Sequence, residues 1–376
     1  MIATTKLIAI QIPDEVYFLF ARGYVKELSG DLNGACADWE KAANSDDTYF
    51  VQLSKKHLMM PKCQNYSSPD NIIVDELPEF NKAGTTLAGG NGEGSASNQL
   101  SHPTGIALDA SGNLYIADTN NHRIQKWTPG ATEGITVAED KERSRSSIIT
   151  YPTGITLDAS GNMYITDTEN NNIKKWALGA TEGLIIIGEG GTTDRGGYAA
   201  NQLNNPAAIT IDTYGNLYIA DRENHRIQEW APLATIGTTV ARGLRFPSDV
   251  ALDAAGNLYI ADTENNRIQK WESGAREGTT VAGGNEKGSR AYQLFHPQGI
   301  TLDASGNMYI ADTENNRIQM WAPGAIEGTT IAGGNGEGSA ANQLSLPRGI
   351  TLDSSGNLYI ADTGNNRIQK YAPVDN

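Results

Sequence analysis

The sequence has little cysteine, little histidine and few basic residues. Its two cysteines, Cys36 and Cys63, are too few for a disulfide framework and lack the spacing partners of a zinc site, so we expect free thiols in a reducing compartment. The opening stretch, MIATTKLIAI, is followed at once by polar and acidic residues, which is poor for a signal peptide. These absences predict a cytoplasmic protein without a membrane segment.

The 29 lysines and arginines are outnumbered by 44 aspartates and glutamates, for a formal net charge of −15. Such a surface repels phosphate backbones, so nucleic-acid binding would need a local basic patch. No Gly-x-Gly-x-x-Gly lies between a strand and a helix, and segments such as GGNGEGSASNQL are typical of loops. The sequence therefore predicts no nucleotide cofactor.

One unit recurs six times between residues 102 and 371. Each copy has two apolar runs, such as GIALD and NLYIAD, separated by a turn sequence and followed by RIQKW, in which apolar and polar residues alternate. A fourth run, such as TTVA, follows the core in most copies. Four antiparallel strands with the most apolar one first describe a blade of a β-propeller. The cores of the six copies are 102–127, 151–176, 205–230, 246–271, 296–321 and 346–371.

The two ends of the array predict a closed ring. The fourth-strand motif appears at 85–88, before any core, whereas the last core ends at Tyr371 with no fourth strand after it. If the two leftovers share one blade, every strand is used and no sheet edge stays free. An open stack would need capping units that the sequence lacks. We therefore expect six blades.

The signatures Pro-x-Gly-Ile, Asn-Leu-Tyr-Ile-Ala-Asp and Asn-Arg-Ile-Gln resemble the NHL-repeat family over about three quarters of the chain. The resemblance implies an all-β six-bladed β-propeller of NHL type at residues 83–376, closed by an N-terminal strand. It says less about function, because propellers of this type serve as binding platforms, as sensors and, in some relatives, as enzymes.

Residues 1–61 are predicted to form a small α-helical segment, with helices at about 14–29, 32–43 and 48–60. The segment resembles a single tetratricopeptide repeat, and an unrelated helical cap is the alternative. One such repeat cannot bury its own apolar face, so we expect it to pack on the third helix. Residues 62–82 lack periodicity and are predicted to be a linker. The small and aromatic positions behind the resemblance are Gly23, Gly30, Ala35, Trp39 and Ala42.

Carboxylates and aromatic residues that recur in every copy favour structural roles. An aspartate ends each second strand, and in five copies an arginine follows five residues later, which predicts a charge-assisted bond that fixes the turn. Asn172 replaces this arginine in the second copy, where we expect a weaker turn. A second recurring aspartate, beside Ser-Gly, predicts side-chain-capped turns. One tyrosine and one tryptophan in most copies predict packing between blades.

Histidines are the candidate nitrogen ligands for a metal. His102 and His296 precede the proline that begins a first strand, whereas His122 and His225 lie between the second and third strands, so all four share one face of a propeller. In the related peptide-amidating lyases, zinc is held by histidines directly after this proline. That position holds other residues here, so we expect no metal and no cofactor. The six residues are Thr104, Thr153, Ala207, Ser248, Gln298 and Arg348.

Specificity should come from departures from the repeat, since residues shared by six blades cannot distinguish ligands. Such departures predict a binding site on the histidine-bearing face, formed by Arg222, Arg245, Gln298, Arg348, His102, His122, His225 and His296. The leading hypothesis is a non-catalytic binding or scaffold module, with an adaptor role as one form of it, that recognises a protein or peptide through this mouth. The alternatives are a lyase or lactonase-like hydrolase at the central opening, and RNA binding. The oligomeric state is left open.

Overall fold

The computed structural model describes residues 78–139, 149–188 and 196–374, which belong to one compact unit beginning at Pro78. They form six four-stranded antiparallel sheets, which confirms the predicted six-bladed propeller. The strands are β1 (Thr85–Gly89), β2 (Pro103–Leu108), β3 (Leu114–Asp118), β4 (Arg123–Trp127), β5 (Ile135–Glu139), β6 (Pro152–Leu157), β7 (Met163–Asp167), β8 (Asn172–Trp176), β9 (Leu184–Ile187), β10 (Pro206–Ile211), β11 (Leu217–Asp221), β12 (Arg226–Trp230), β13 (Thr238–Arg242), β14 (Pro247–Leu252), β15 (Leu258–Asp262), β16 (Arg267–Trp271), β17 (Thr279–Gly283), β18 (Pro297–Leu302), β19 (Met308–Asp312), β20 (Arg317–Trp321), β21 (Thr329–Gly333), β22 (Pro347–Leu352), β23 (Leu358–Asp362) and β24 (Arg367–Tyr371).

Blades one to five each use four consecutive strands, from β2–β5 to β18–β21. The first strand of every blade contacts the first strands of its two neighbours, in the ring order β2, β6, β10, β14, β18, β22 and back to β2. In five blades the second strand leads into a one-turn 3-10 helix. These short helices are Thr119–Asn121, Arg222–Asn224, Thr263–Asn265, Thr313–Asn315 and Thr363–Asn365. The described part of the chain contains no helix with the length and apolar character needed to span a bilayer.

Blade six closes the ring with strands from both ends of the array. β1 pairs antiparallel with β24, with Thr85 opposite Lys370 and Ala88 opposite Ile368. Residues 79–81, at the end of the segment expected to be a linker, also pair with the chain end: Asn81 N donates to Ala372 O at 2.9 Å. The predicted closure by an N-terminal strand is therefore confirmed. The expected helical segment, residues 1–61, lies outside the described residues.

Apolar cores lie between blades and join each blade to the next. In one of them, Tyr115 and Ile124 of blade one pack with Ile165 and Trp176 of blade two. In five blades the tyrosine hydroxyl group donates to the aspartate of the first turn of its own blade, as Tyr309 does to Asp303 at 3.1 Å. The prediction that the recurring aromatic residues pack between blades is confirmed.

Buried ion pairs fix the turn between the second and third strands. Asp118 accepts a hydrogen bond from Arg123 Nε at 2.7 Å and one from the backbone N–H of Ser101 at 2.7 Å. The same arginine donates to the carbonyl groups of Ser95 and Gln99 in the loop before the blade. Equivalent pairs occur in blades three to six, which confirms a structural role for the recurring aspartate and arginine.

Blade two builds this turn with different residues. Asn172 stands in the arginine position, and its Oδ1 is buried without a hydrogen-bond partner in the described part of the chain. Lys174 Nζ instead lies 2.9 Å from Asp167, and both side chains are fully buried. In the other blades the position of Lys174 holds glutamine. The expectation of a weaker turn at Asn172 overlooked this second substitution, which keeps the buried aspartate paired.

Candidate functional site

The first strands of the six blades surround a central cavity of about 410 Å³. Its wall is the Pro-x-Gly-Ile sequence, and the glycine is needed because neighbouring backbones come close there. A Cβ on Gly105 would lie 2.5 Å from the carbonyl oxygen of Thr153 in the next blade. Four blades keep this glycine, whereas blade three has Ala208 and blade four has Asp249. The wall glycine is therefore common to four blades and is replaced in two adjacent blades.

The start of each first strand and the end of each second strand lie at the same end of the cavity, since Pro206 pairs with Asp221 and the other blades follow the same register. We call this end the mouth. It is formed by the residue after each blade proline and by the first residue after each second strand. Arg222, Gln298 and Arg348 all belong to the mouth and line the cavity.

A ring of threonine hydrogen bonds joins the blades at the mouth. In five blades the threonine after the second strand donates to the carbonyl oxygen of the proline that begins the next blade, as Thr119 does to Pro152 at 2.8 Å. Arg222 takes this position in blade three, so the bond is missing between blades three and four. The fold therefore gives no reason for an arginine there. The other four threonines are Thr168, Thr263, Thr313 and Thr363.

Arg348 stands in blade six, directly across the ring from Arg222 in blade three. The corresponding residues of blades one and two are Thr104 and Thr153. The Nε atoms of both arginines are buried, and no acceptor for either is present in the described residues. Burial lowers the pKa of Arg348, the positive charge of Arg222 lowers it further, and Glu314 opposes the shift. Both arginines thus line the same cavity, and the guanidinium of Arg222 lies 5.9 Å from the centroid of the Phe246 ring.

Asp249 is a residue of the wall that the sequence analysis missed. Its carboxylate accepts hydrogen bonds from the backbone N–H groups of Val250 at 2.8 Å and of Ile300, in the next blade, at 2.9 Å. Burial of the carboxyl group nevertheless raises the pKa of Asp249 to about 7. The sequence does contain a sign of this residue, because blade four is the one copy with an acidic residue two positions after the blade proline. Among the described residues that line the cavity, Arg222, Asp249 and Arg348 are the charged ones.

The model of the NHL repeat matches residues 100–127, 203–230, 244–271, 296–321 and 344–371. The chain contains five NHL repeats. The copy at 151–176 falls outside the matched residues, and it is the copy in which Asn172 and Lys174 replace the usual arginine and glutamine. It nevertheless forms a complete four-stranded blade, so the NHL propeller has six blades.

Solved structures of other propellers are similar to this chain. An auxiliary nutrient binding protein from Bacteroides ovatus has a TM-score of 0.59 at 15% identity, covering 80% of this chain and 78% of that protein. A gluconolactonase from Xanthomonas campestris has a TM-score of 0.56 at 15% identity, covering 73% and 87%. A virginiamycin B lyase from Staphylococcus aureus has a TM-score of 0.50 at 15% identity, covering 79% and 100%. At these identities the likeness concerns the fold alone.

Two of the predicted binding residues, His122 and His225, hold neighbouring blades of the NHL propeller together. Both have a left-handed backbone, with φ of 52° and 56°. Their Nδ1 atoms accept hydrogen bonds from the backbone N–H groups of Tyr151 at 3.0 Å and of Phe246 at 3.2 Å in the next blade. Asparagine does the same in the other four blades, through Asn171, Asn266, Asn316 and Asn366. Neither histidine lines the cavity.

The remaining predicted residues, His102, Arg245 and His296, lie beside carboxylates at the edge of the mouth. We call this edge the rim. His102 Nδ1 is 2.9 Å from the side-chain amide nitrogen of Asn120. His296 lies 3.9 Å from Glu264 and 4.0 Å from Glu314, and the exposed Arg245 lies 3.9 Å from Glu264. Within residues 78–139, 149–188 and 196–374, no group of three or more His, Cys, Asp or Glu is arranged to hold a metal ion. Of the eight predicted residues, the cavity wall therefore contains Arg222, Gln298 and Arg348.

Proposed function

We propose that the NHL propeller is a recognition module that binds a peptide segment of another protein at the mouth. The observation that carries this proposal is the position of the departures from the repeat. Arg222, Asp249, Gln298 and Arg348 come from four consecutive blades and line one cavity. Polar groups gathered in one concave pocket are typical of a ligand site.

Two of these departures replace features that the fold uses elsewhere. Arg222 removes a hydrogen bond between blades, and Asp249 stands where four blades have glycine. Changes that weaken the scaffold and meet in one pocket are typical of functional sites. A cavity of about 410 Å³ has the size of a small-ligand pocket, so it accommodates one or two side chains of a partner rather than a folded domain.

The rim adds contacts for the rest of a bound segment. Arg245, His102 and His296 are partly or largely exposed around the mouth. Glu264 and Glu314 lie beside Arg245 or His296, and Glu93 lies beside His102. A buried pocket surrounded by an exposed polar rim is the usual anatomy of a protein interface. The acidic rim also disfavours RNA, which leaves RNA binding as the weaker alternative.

Affinity capture with matched variants tests the proposal. The protein and its Arg222→Glu/Arg348→Glu variant are used as baits, and bound proteins and RNA are both identified. The control is Arg242→Glu/Arg276→Glu, which makes the same charge change at exposed residues away from the cavity. We expect the mouth variant to bind a captured protein about tenfold more weakly or worse, since arginines are frequent hot spots. If the control pair abolishes capture and the mouth pair does not, the site lies elsewhere.

A second candidate, lyase or lactonase-like hydrolysis at the central opening, is supported by one observation. Asp249 lines the cavity and has a pKa of about 7, which suits a general acid or base at neutral pH. The test is turnover of simple lactones by the purified protein and by its Asp249→Gly variant. Turnover that disappears in the variant would favour catalysis, and equal rates in both proteins would exclude a role for this carboxyl group.

A further inference from the structure

We propose that Arg222 and Arg348 together form a subsite for one carboxylate group, contributed by the peptide bound at the mouth. This inference rests on the proposed function and names the chemistry by which the partner is recognised. The carboxylate has two sources in a peptide, an acidic side chain or the C-terminus. Both present the same planar pair of oxygens, for which guanidinium groups are the best-matched donors.

The first argument is the contrast between the half-buried Arg222 and Arg348 and the buried arginines of the blade turns. Arg123 and Arg226 each place Nε 2.7 Å from the carboxylate of a buried aspartate. The Nε atoms of Arg222 and Arg348 are equally hidden from solvent but have no acceptor in the described part of the chain. Buried charged donors without partners are rare and unfavourable, so an acceptor supplied by a ligand would complete the site.

The second argument is the position of the two arginines. They come from blades three and six, which lie opposite each other in the ring, and both line the same cavity. Burial lowers the pKa of Arg348, and the positive charge of Arg222 lowers it further, as expected for two like charges in one cavity. Glu314 opposes this repulsion. An anion between the two guanidinium groups would relieve the repulsion far more directly than a carboxylate on the rim.

The third argument concerns the charge of the anion. Glu264 and Glu314 lie on the rim, Asp249 lies on the wall, and the whole chain carries a formal net charge of −15. This surrounding field disfavours a doubly charged phosphate more than a singly charged carboxylate. The arrangement therefore favours a carboxylate over a phosphate.

Small probes test the subsite on the full-length protein without the partner. N-acetylglycine represents a C-terminal carboxylate, N-acetylglutamic acid α-amide represents an acidic side chain, and N-acetylglycinamide is the neutral control. Each is titrated by two-dimensional NMR, with inorganic phosphate in a parallel series. We expect saturable binding of at least one carboxylate probe, no binding of the neutral control and weaker binding of phosphate. Which carboxylate probe binds more tightly identifies the source of the group.

The repeat itself supplies variants that should keep the fold. Arg222→Thr installs the residue found at this position in the other five blades, and Arg348→Thr copies Thr104 and Thr153. Arg348→Gln, which copies Gln298 of blade five, is a second variant at the same site. We expect each to weaken carboxylate binding about tenfold or more. The control is Arg242→Thr/Arg276→Thr, which removes two exposed arginines away from the cavity and should leave the titration unchanged.

Three results would overturn the inference: no saturable carboxylate binding, equal binding by the folded arginine variants, or tighter binding of phosphate than of both carboxylates. Failure here is distinguishable from failure of the proposed function. If the probes do not bind but Arg222→Glu/Arg348→Glu still loses its captured protein, the mouth is the recognition site and the carboxylate idea is wrong. If the probes bind and capture does not depend on the mouth, the subsite exists but the proposed function is wrong.

Discussion

The two ends of the propeller differ in how strictly the six blades agree. At the end opposite the mouth, every blade closes the turn between its first two strands with an aspartate that accepts backbone hydrogen bonds from residues two and four positions later. In blade one, Asp109 accepts from Ser111 and Asn113, each at 2.9 Å. The equivalent aspartates are Asp158, Asp212, Asp253, Asp303 and Asp353. At the mouth and the adjoining cavity wall, by contrast, blades three to six each carry a departure.

This difference separates the residues that the ring needs for its structure from the residues that it can vary. A residue kept in six copies has the same neighbours six times, so its role is set by packing and hydrogen bonding within the fold. A substitution at such a position loses those contacts, and the lost contact is either replaced by another residue or left unreplaced. In blade two, Lys174 compensates for Asn172 and the turn survives. At the mouth, Arg222 Cζ lies 5.9 Å from the centroid of the Phe246 ring, but its Nε has no acceptor in the described residues.

The largest expected effect tests the compensated departure. Lys174→Gln installs the residue of the other blades but leaves Asp167 buried without its cation, so we expect a loss of about 3–5 kcal/mol in the free energy of unfolding. The double variant Asn172→Arg/Lys174→Gln restores the arrangement of blade one, and we expect it to recover most of that stability. Chemical denaturation of the two variants and the parent protein measures both values.

Additivity is the critical comparison for this pair. Asn172→Arg alone places a second cation beside Lys174 and should also destabilise the protein, so the double variant must be more stable than the sum of the two single changes. Strictly additive losses would show that the two positions act separately and that the buried pair of Asp167 and Lys174 is not a substitute for the arginine.

The next effect concerns Asp249 and depends on pH. Its folded pKa of about 7 is raised above the ordinary value of 3.8, so ionisation weakens the folded state as pH rises from about 4 to about 7. Asp249→Gly removes this penalty. We therefore expect the stability of the variant relative to the parent to improve by on the order of 3–4 kcal/mol between pH 4 and pH 8. Urea denaturation at a series of pH values measures it, and a pH-independent difference would contradict the raised pKa.

Sequence reasoning was sufficient for the propeller because the repeat carries the same information six times. The count of blades and the closure by β1 follow from where the strand motifs begin and end. The pairing of aspartate with arginine follows from its recurrence. Such arguments need only periodicity, and the ring constrains each copy in the same way.

The site was only partly predictable, because departures have to be interpreted through their neighbours in space. Lys174 is two residues from Asn172, but only the strand geometry shows that its Nζ reaches Asp167. His122 is predicted to be a binding residue, and its spatial neighbours show a second role: it accepts a hydrogen bond from the next blade, as asparagine does in four other blades. Both residue types tolerate the left-handed backbone seen there. Asp249 could have been found by the rule that singled out Arg348, had that rule been applied one residue further along the strand.

A smaller effect is expected at the uniform end. Asp303 accepts hydrogen bonds from Ser305 and Asn307, and its Oδ2 also accepts from the hydroxyl group of Tyr309 at 3.1 Å. Asp303→Ala should therefore lower the free energy of unfolding by about 1–3 kcal/mol, the usual range for unpaired donors. Binding at the mouth should stay unchanged at a temperature at which the variant is folded. A selective loss of partner binding in this variant would mean that the partner binds at the end opposite the mouth, against the proposal.

The smallest effect has the opposite sign. Arg222→Thr should restore the hydrogen bond to the carbonyl oxygen of Pro247 that five other threonines make with their neighbouring blades. It also removes a buried Nε–H donor without an acceptor, at the loss of the contact with the Phe246 ring. We expect the free energy of unfolding to rise by about 1 kcal/mol, the typical net value of one hydrogen bond. Residues that serve binding at some loss of stability show this behaviour when they are replaced by the scaffold's preferred residue. Thermal melts of Arg222→Thr and of the surface variant Arg242→Thr, which should melt like the parent, measure the difference. A lower melting temperature for Arg222→Thr would mean that the arginine stabilises the ring. Arg222 would then be part of the scaffold, and its position at the mouth would no longer indicate a binding role.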